Sequence, residues 1–336
     1  MKHLMYGMII YLCFFWCSYG FAQKYSPKYL PAKIRVIVKD DEGHPIEGIL
    51  VNGGFSDFNK RGARDCFKKV TDENGMLVVT GKAIIDFGMR IEQEGYYWRE
   101  VVLPLSSKER EENDRWEKEI AVKIKRIRNP IPMYVKEVVN PAMVAHVGIR
   151  ENFRYILGNT ARYDFVKGDF LPPHGKGEVE DIKFIRRMDI LSKDEWGLAN
   201  DYDEFIDIYM TNCVDGVCRG IPDMDKEKKN GSDFISDYEA PVSGYTNHLH
   251  FYRKIRHKGP DVIKDTNDDD HYLWYFRIRT QVDGGGDITN ALYGKVYDDI
   301  GSGVFTYYLN PTPNDRNIEF ARGKNLFKEI KSRFMP

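Results

Sequence analysis

The sequence predicts a mostly β protein: a small β-sandwich followed by a larger antiparallel β-rich domain. Short runs of alternating apolar and polar residues recur along the 336 residues, separated by Asp-Gly, Asn-Gly and Pro-containing turns. Aromatic residues make up 13%, with 21 Tyr and 19 Phe, types that pack well on pleated surfaces. Asn129-Pro130-Ile131-Pro132 divides the chain, because two prolines in three residues interrupt a ladder.

Residues 1–22 read as an export signal. Lys2 and His3 give a weakly basic start and Met8 to Phe15 is unbroken apolar. Gly20 and Ala22 then sit at the −3 and −1 positions of a cleavage before Gln23. The run is too short for a stable span, so the mature chain is expected to have no transmembrane segment and a periplasmic or extracellular address. Bulky Phe15 and Trp16 before Cys17 argue against a lipid anchor. Lys and Arg total 50 against 51 Asp and Glu, a formal charge of −1, which calls for neither nucleic acid nor an anionic membrane.

A polar lead-in with Pro27 and Pro31 comes next. Val36 and Val38, set against Arg35, Ile37 and Lys39, mark a strand with one buried face. Asp40 to Gly43 turns it, and His44 to Gly48 leads into Ile49 and Val51. Residues 52–69 are polar, basic and glycine-bearing, and read as a long loop. Thr71-Asp-Glu-Asn-Gly75 is a turn into the strand Met76 to Val79. The charged stretch Ser106 to Glu119 reads as a solvated excursion with room for a short helix capped by Ser106 or Ser107. Ile120 to Ile127 is the last strand before the prolines.

That ordered set resembles the carboxypeptidase regulatory-like domain. The residues that carry the resemblance are Pro45-Ile46-x-Gly48-x-x-Val51, Thr71 to Gly75, Glu94-Gly95-Tyr96-Tyr97 and Val101 to Leu103, within Lys33 to Ile127. It implies a transthyretin-like, seven-strand sandwich over 33–127 that serves as a non-catalytic accessory or binding module. The long 53–68 segment and the charged stretch depart from the pattern.

Residues 133–336 hold the second domain. Strands are predicted at Met133 to Val139, Val179 to Leu191, Phe205 to Cys213, His248 to Ile255, His271 to Val282, Ile288 to Tyr297 and Val304 to Leu309, with a terminal helix at Leu326 to Phe334. In Phe205 to Cys213, Ile206, Ile208 and Met210 oppose Phe205, Asp207 and Tyr209. In His248 to Ile255, Leu249, Phe251 and Ile255 oppose His248, His250 and Tyr252. The blocks Gly168 to Gly177, Arg279 to Asp283 and Phe305 to Asn317 resemble a group of exported bacterial proteins with no assigned activity, which implies relatives rather than chemistry.

Cys213-Val-Asp-Gly-Val-Cys218 reads as a hairpin with an Asp-Gly turn. Its cysteines would then sit about 4.5 Å apart across a non-hydrogen-bonded pair, and an exported chain would join them as a disulfide. His248-x-His250 puts two imidazoles on one strand face, a metal-site spacing that needs a third ligand from His257, His271 or an acid. The plainer reading is two polar residues beside Tyr252 on a wet face. Asp265, Asn267 and Asp269 begin like a calcium loop, but Asp270 replaces its glycine and Phe276 its last acid; an acidic turn is the alternative. Pro172-Pro173-His174-Gly175-Lys176-Gly177 offers His174 and Lys176 to an anion or an acid–base pair, or is a structural turn. Asn310, Asp315 and Arg316, in a proline-stiffened loop, can read sugar hydroxyls or satisfy local backbone.

No nucleophile elbow, metalloprotease helix or dinucleotide fingerprint occurs. The expected protein is an exported, non-catalytic binding or structural protein of the cell envelope. Its partner is a glycan or another envelope protein, and no cofactor is expected. The alternative is a hydrolase with its site in the second domain.

Overall fold

The computed structural model describes residues 29–56, 63–139, 160–195, 197, 199–222, 231–232, 234–267, 273–298, 300–301 and 304–328. The signal at 1–22, Asp269, His271 and most of the expected terminal helix lie outside them. Strand accounts for 61% of the described residues and helix for 2%, so the chain is mostly β. Among the described residues no helix is long and apolar enough to cross a membrane. The chain falls into two compact units, one holding 29–94 and 98–124, the other 95–97, 125–222 and 231–328.

The first unit contains β1 (Leu30–Lys39), β2 (Leu50–Ser56), β3 (Ala63–Val70), β4 (Met76–Ala83), β5 (Asp86–Ile91), β6 (Arg99–Pro104), α1 (Ser107–Glu112) and β7 (Trp116–Lys123). One sheet has the order β4-β1-β7, with β7 parallel to β1, and the strands β6-β5-β2-β3 form an antiparallel run. β1 buries Leu30, Ala32, Ile34, Val36 and Val38 and turns the residues between them outward. The Thr71 to Gly75 turn is held by side chains. Thr71 Oγ1 accepts from Ile49 N (2.9 Å) and donates to Ile46 O (2.7 Å), and Asp72 Oδ1 accepts from Asn74 N and Met76 N. Gly75 stands at φ +67°, and a Cβ there would lie 2.6 Å from Val38 O, so the turn requires glycine. α1 carries a capping box in which Glu109 N donates to Ser106 Oγ and Ser106 N to Glu109 Oε2.

The expected loop at 52–69 is corrected: β2 runs to Ser56 and β3 occupies 63–70. β3 is an edge strand with a polar, lysine-bearing sequence, which suits an exposed edge but erases the alternation that marks a half-buried strand. Phe67 is its inward contact, stacked 5.9 Å from Phe87.

The second unit contains β8 (Ile131–Val139), β9 (Thr160–Asp164), β10 (Asp169–Phe170), β11 (Ile182–Lys193), β12 (Ala199–Met210), β13 (Gly216–Arg219), β14 (Gly231–Ser232), β15 (His248–Lys258), β16 (Asp261–Thr266), β17 (Leu273–Val282), β18 (Ile288–Tyr297), β19 (Val304–Leu309) and β20 (Phe320–Asn325). Two six-stranded sheets result. The front sheet has the order β10-β9-β11-β12-β15-β16, and the back sheet β13-β17-β18-β19-β8-β20. Between them lies an aromatic-rich core in which Phe165 stacks on Phe276 at 4.6 Å and Tyr163 meets Tyr307 edge-on. The other face of the back sheet is also buried, with Cys218, Tyr275, Tyr293 and Tyr308 packed with Ala240 and Ile318. β18 and β19 have the predicted bounds. Leu326 to Lys328 are not helical, and the strand β20 precedes them.

Arg279 ties the two sheets together. It sits at φ +53° in an irregularity of β17, where its N–H and that of Thr280 donate to Asp215. Its guanidinium reaches Asp181 (2.9 and 3.1 Å) and Asp164 (2.8 Å). Asp164 also accepts four backbone N–H groups, from Val166, Lys167, Glu178 and Val179. Burial alone raises the Asp164 pKa, but these donors and the Arg279 charge outweigh it and hold it low. At Asp181 burial prevails over Arg279, and its pKa is raised.

The hairpin and the disulfide are corrected by the same residues. Asp215 bonds to β17 instead of turning a hairpin, and Gly216 to Arg219 pairs with β17, placing Cys218 opposite Tyr275. Cys213 is an exposed free thiol, whereas Cys218 is free and buried, its pKa pushed by burial up to about 11.

Replacing Arg279 with Met leaves two carboxylates without their counter-charge. Chemical denaturation at neutral pH should show a loss of about 3 kcal/mol; a change within experimental error would remove Arg279 from this role.

Candidate functional site

Alternation in the front sheet sends Phe184, Ile206, Ile208 and Phe251 into the core, so their neighbours face outward. The pairing then sets those neighbours in rows across the strands. Arg162, Lys183, Tyr209 and His248 form one row; Thr160, Ile185, Asp207 and His250 the next; Arg187, Phe205 and Tyr252 a third.

Asp207 is the hub. Its Oδ1 lies 2.8 Å from His248 Nε2 and 2.9 Å from His250 Nδ1, while the imidazoles stay 40% and 46% exposed. Burial raises the Asp207 pKa, but the hydrogen bonds from His250 and His248, with their charge when protonated, hold it below 3.8. Tyr209 and His248 lie parallel across the strand pair, 4.3 Å apart. Their rings therefore stand upright on the sheet and turn their edges to solvent. Lys183 Nζ lies 5.4 Å over the Tyr209 ring, and the Arg187 guanidinium 4.3 Å over Phe205.

Beside this ladder opens a cleft of about 380 Å³, lined by Thr160, Arg162, Leu171, Pro172, Pro173, His174, Glu180 and Lys183. Its wall is the turn after β10. Asp169 Oδ2 accepts Lys176 N (2.8 Å), and a Cβ on Gly175 would collide with the Asp169 carboxylate and Phe170 O, so the turn folds back only with glycine there. Arg162 Nη2 donates to Pro172 O (3.1 Å), fixing the wall to β9. Two of the predicted sites thus meet on one face: His174 lines the cleft, and His248 and His250 belong to the ladder. Lys176 is not part of the lining.

One ring nitrogen of each imidazole, Nε2 of His248 and Nδ1 of His250, is directed at Asp207, and His257 bonds to Asp201. Among the described residues no three His, Cys, Asp or Glu groups are disposed to hold a metal ion. Of the expected calcium loop, Asp265 lies 3.3 Å from Tyr252 OH, and Asn267 bonds to the backbone of Tyr252 and His250. Asn310 is fully buried and donates to the carbonyls of Asp315 and Asn317. Asp315 accepts from Asn317 N, and Arg316 bonds to Ala240 O and Glu239. These groups of the 310–317 loop serve the fold. Arg162, Lys183 and Asp207 were not singled out by sequence, although alternation places Asp207 opposite the core; strand order is what reveals them.

No protein-family profile and no curated protein matches the chain. Among solved structures it is similar to 3-chlorocatechol 1,2-dioxygenase from Rhodococcus opacus 1CP, at 16% identity and TM-score 0.24 over 31% of this chain and 62% of that one. A DUF3823 family protein from Parabacteroides merdae ATCC 43184 aligns at 6% identity and TM-score 0.21 over 88% of this chain and 100% of that one. A candidate carbohydrate-binding protein from Bacteroides uniformis ATCC 8492 aligns at 11% and 0.18 over 84% and 98%. The chain spans under two thirds of the dioxygenase's length. Likeness at these scores assigns neither a fold nor an activity.

Because the folded state depresses the Asp207 pKa, its stabilising contribution is present above pH 3.8 and is lost as pH falls through the folded value. Urea denaturation at neutral and strongly acidic pH should therefore show a smaller acid loss for Asp207→Asn than for the parent protein. An equal loss in both would contradict the depressed pKa.

Proposed function

We propose that the chain is an exported, non-catalytic binding protein whose second unit takes a glycan on the open face of its front sheet. The observation that carries this reading is the joining of the Asp207–His248–His250 cluster, the Tyr209 hydroxyl and the His174 cleft on one exposed surface. A sugar presents many hydroxyls that both donate and accept. Carboxylate, imidazole, phenol and guanidinium groups on adjacent strands match that pattern, and a sheet holds them rigidly. The back sheet is buried on both faces, so the second unit's exposed sheet surface belongs to the front sheet.

The first unit is proposed to be a carboxypeptidase regulatory-like accessory module over 33–127, with the binding domain over 133–336. Seven strands in the first unit and the side-chain-locked turn Thr71 to Gly75 support that assignment. Export rests on the sequence of residues 1–22.

Screening the mature chain, residues 23–336, against an oligosaccharide array should identify a ligand. Tyr209→Ala and His250→Ala should each weaken it by about tenfold or more, measured by calorimetry. Unchanged affinity in both variants would move the site elsewhere, and no binding to any saccharide would reject the reading.

A further inference from the structure

Charges on the front sheet mostly have opposite partners. Arg187 lies 3.4 Å from Asp189, Arg256 2.7 Å from Asp203, and Lys254 4.0 Å from Asp265. The cleft is short of acids for its cations. Arg162 and Lys183 stand directly opposite each other in register and on the same face, an arrangement in which like charges destabilise a strand pair. Lys183 has no carboxylate within 4.0 Å among the described residues. Glu180 is the one acid of the lining, and it lies 3.7 Å from Arg162. His174 adds an imidazole to the same wall. Two permanent cations and an imidazole therefore face one carboxylate across a concavity of about 380 Å³, large enough for a charged sugar substituent.

We infer that this cleft receives the anionic substituent of an acidic saccharide, a carboxylate or a sulfate, held by Arg162 and Lys183. The inference rests on the glycan reading above and specifies its ligand class. Arg162 presents a planar fork suited to a two-oxygen anion, and its bond to Pro172 O leaves its orientation fixed before binding. Lys183 adds a point charge from the adjacent strand. The same row continues through Tyr209 to His248, so the next sugar units have hydroxyl partners along the ladder. Anion binding would also relieve the repulsion between the two opposed cations.

Calorimetry on the mature chain with three hexasaccharides tests this: a polygalacturonate, a sulfated one and a neutral galactan. The acidic ligands should bind more tightly than the neutral one, and their affinity should fall as salt rises from about 0.05 to about 0.5 M. Lys183→Gln should weaken them by about tenfold and the neutral ligand by much less. Lys258→Gln, which removes the same charge at the far end of β15, should have no effect. The better of the two acidic ligands identifies the substituent. Equal binding of all three, or equal effects of the two lysine variants, would overturn the acidic-ligand inference and leave the glycan site standing. Failure of every saccharide to bind would overturn both.

Discussion

One guanidinium fixes the wall of the cleft in the second unit. Asp164 ends β9 and Asp181 immediately precedes β11, and both carboxylates bond to Arg279 of the opposite sheet. The segment between them forms the wall of the cleft. Closing a loop whose two ends are held by one cation limits the positions that wall can take, and Asp181 N–H to Tyr163 O adds a backbone tie at its base. The same cation stands at a left-handed backbone position beside Asp215, which draws residues 213–216 onto β17. Charge pairing at this depth is demanding: with one partner missing, the others are left desolvated and uncompensated. The network therefore acts as a geometric constraint on the cleft more than as a surplus of stability.

The two sheets differ in a way their sequences dictate. Leu273 to Phe276 are four consecutive buried residues, as expected for a strand covered on both sides. β12 alternates Ile206, Ile208 and Met210 with Phe205, Asp207 and Tyr209, which is the pattern of a sheet with one wet face. Polar groups on such a face need no loop to present them. Their spacing is set by the ladder, and the upright stack of Tyr209 on His248 follows from direct pairing in register.

Much of the fold was legible because alternation survives wherever one face is buried; β18 and β19 were read to the residue. It failed at β3, an edge strand on which Asp65, Cys66, Lys68, Lys69 and Val70 are exposed, and at β20, which was not singled out before the expected terminal helix. The Cys213–Cys218 hairpin failed for a different reason. An Asp-Gly pair is a turn signal, but Asp215 has stronger partners in the N–H groups of Arg279 and Thr280, more than 60 residues away. At the candidate site, the imidazoles and His174 were legible as residues. Their neighbours were not: the opposition of Arg162 to Lys183 and the convergence of two histidines on Asp207 exist only once strand order is known. The side chains of the Asn310 loop look like ligand groups, and strand order shows where they bond: Asn310 and Asp315 to the loop's own backbone, Arg316 to Ala240 O and Glu239.

The most direct test of the account is an imidazole-selective NMR spectrum of the mature chain during addition of a polygalacturonate hexasaccharide. The resonances of His174, His248 and His250 should shift together and saturate, while those of His44 and His257 stay in place. Shifts at His44 or His257 with the other three unmoved would put the ligand elsewhere and contradict the assignment of the front-sheet face.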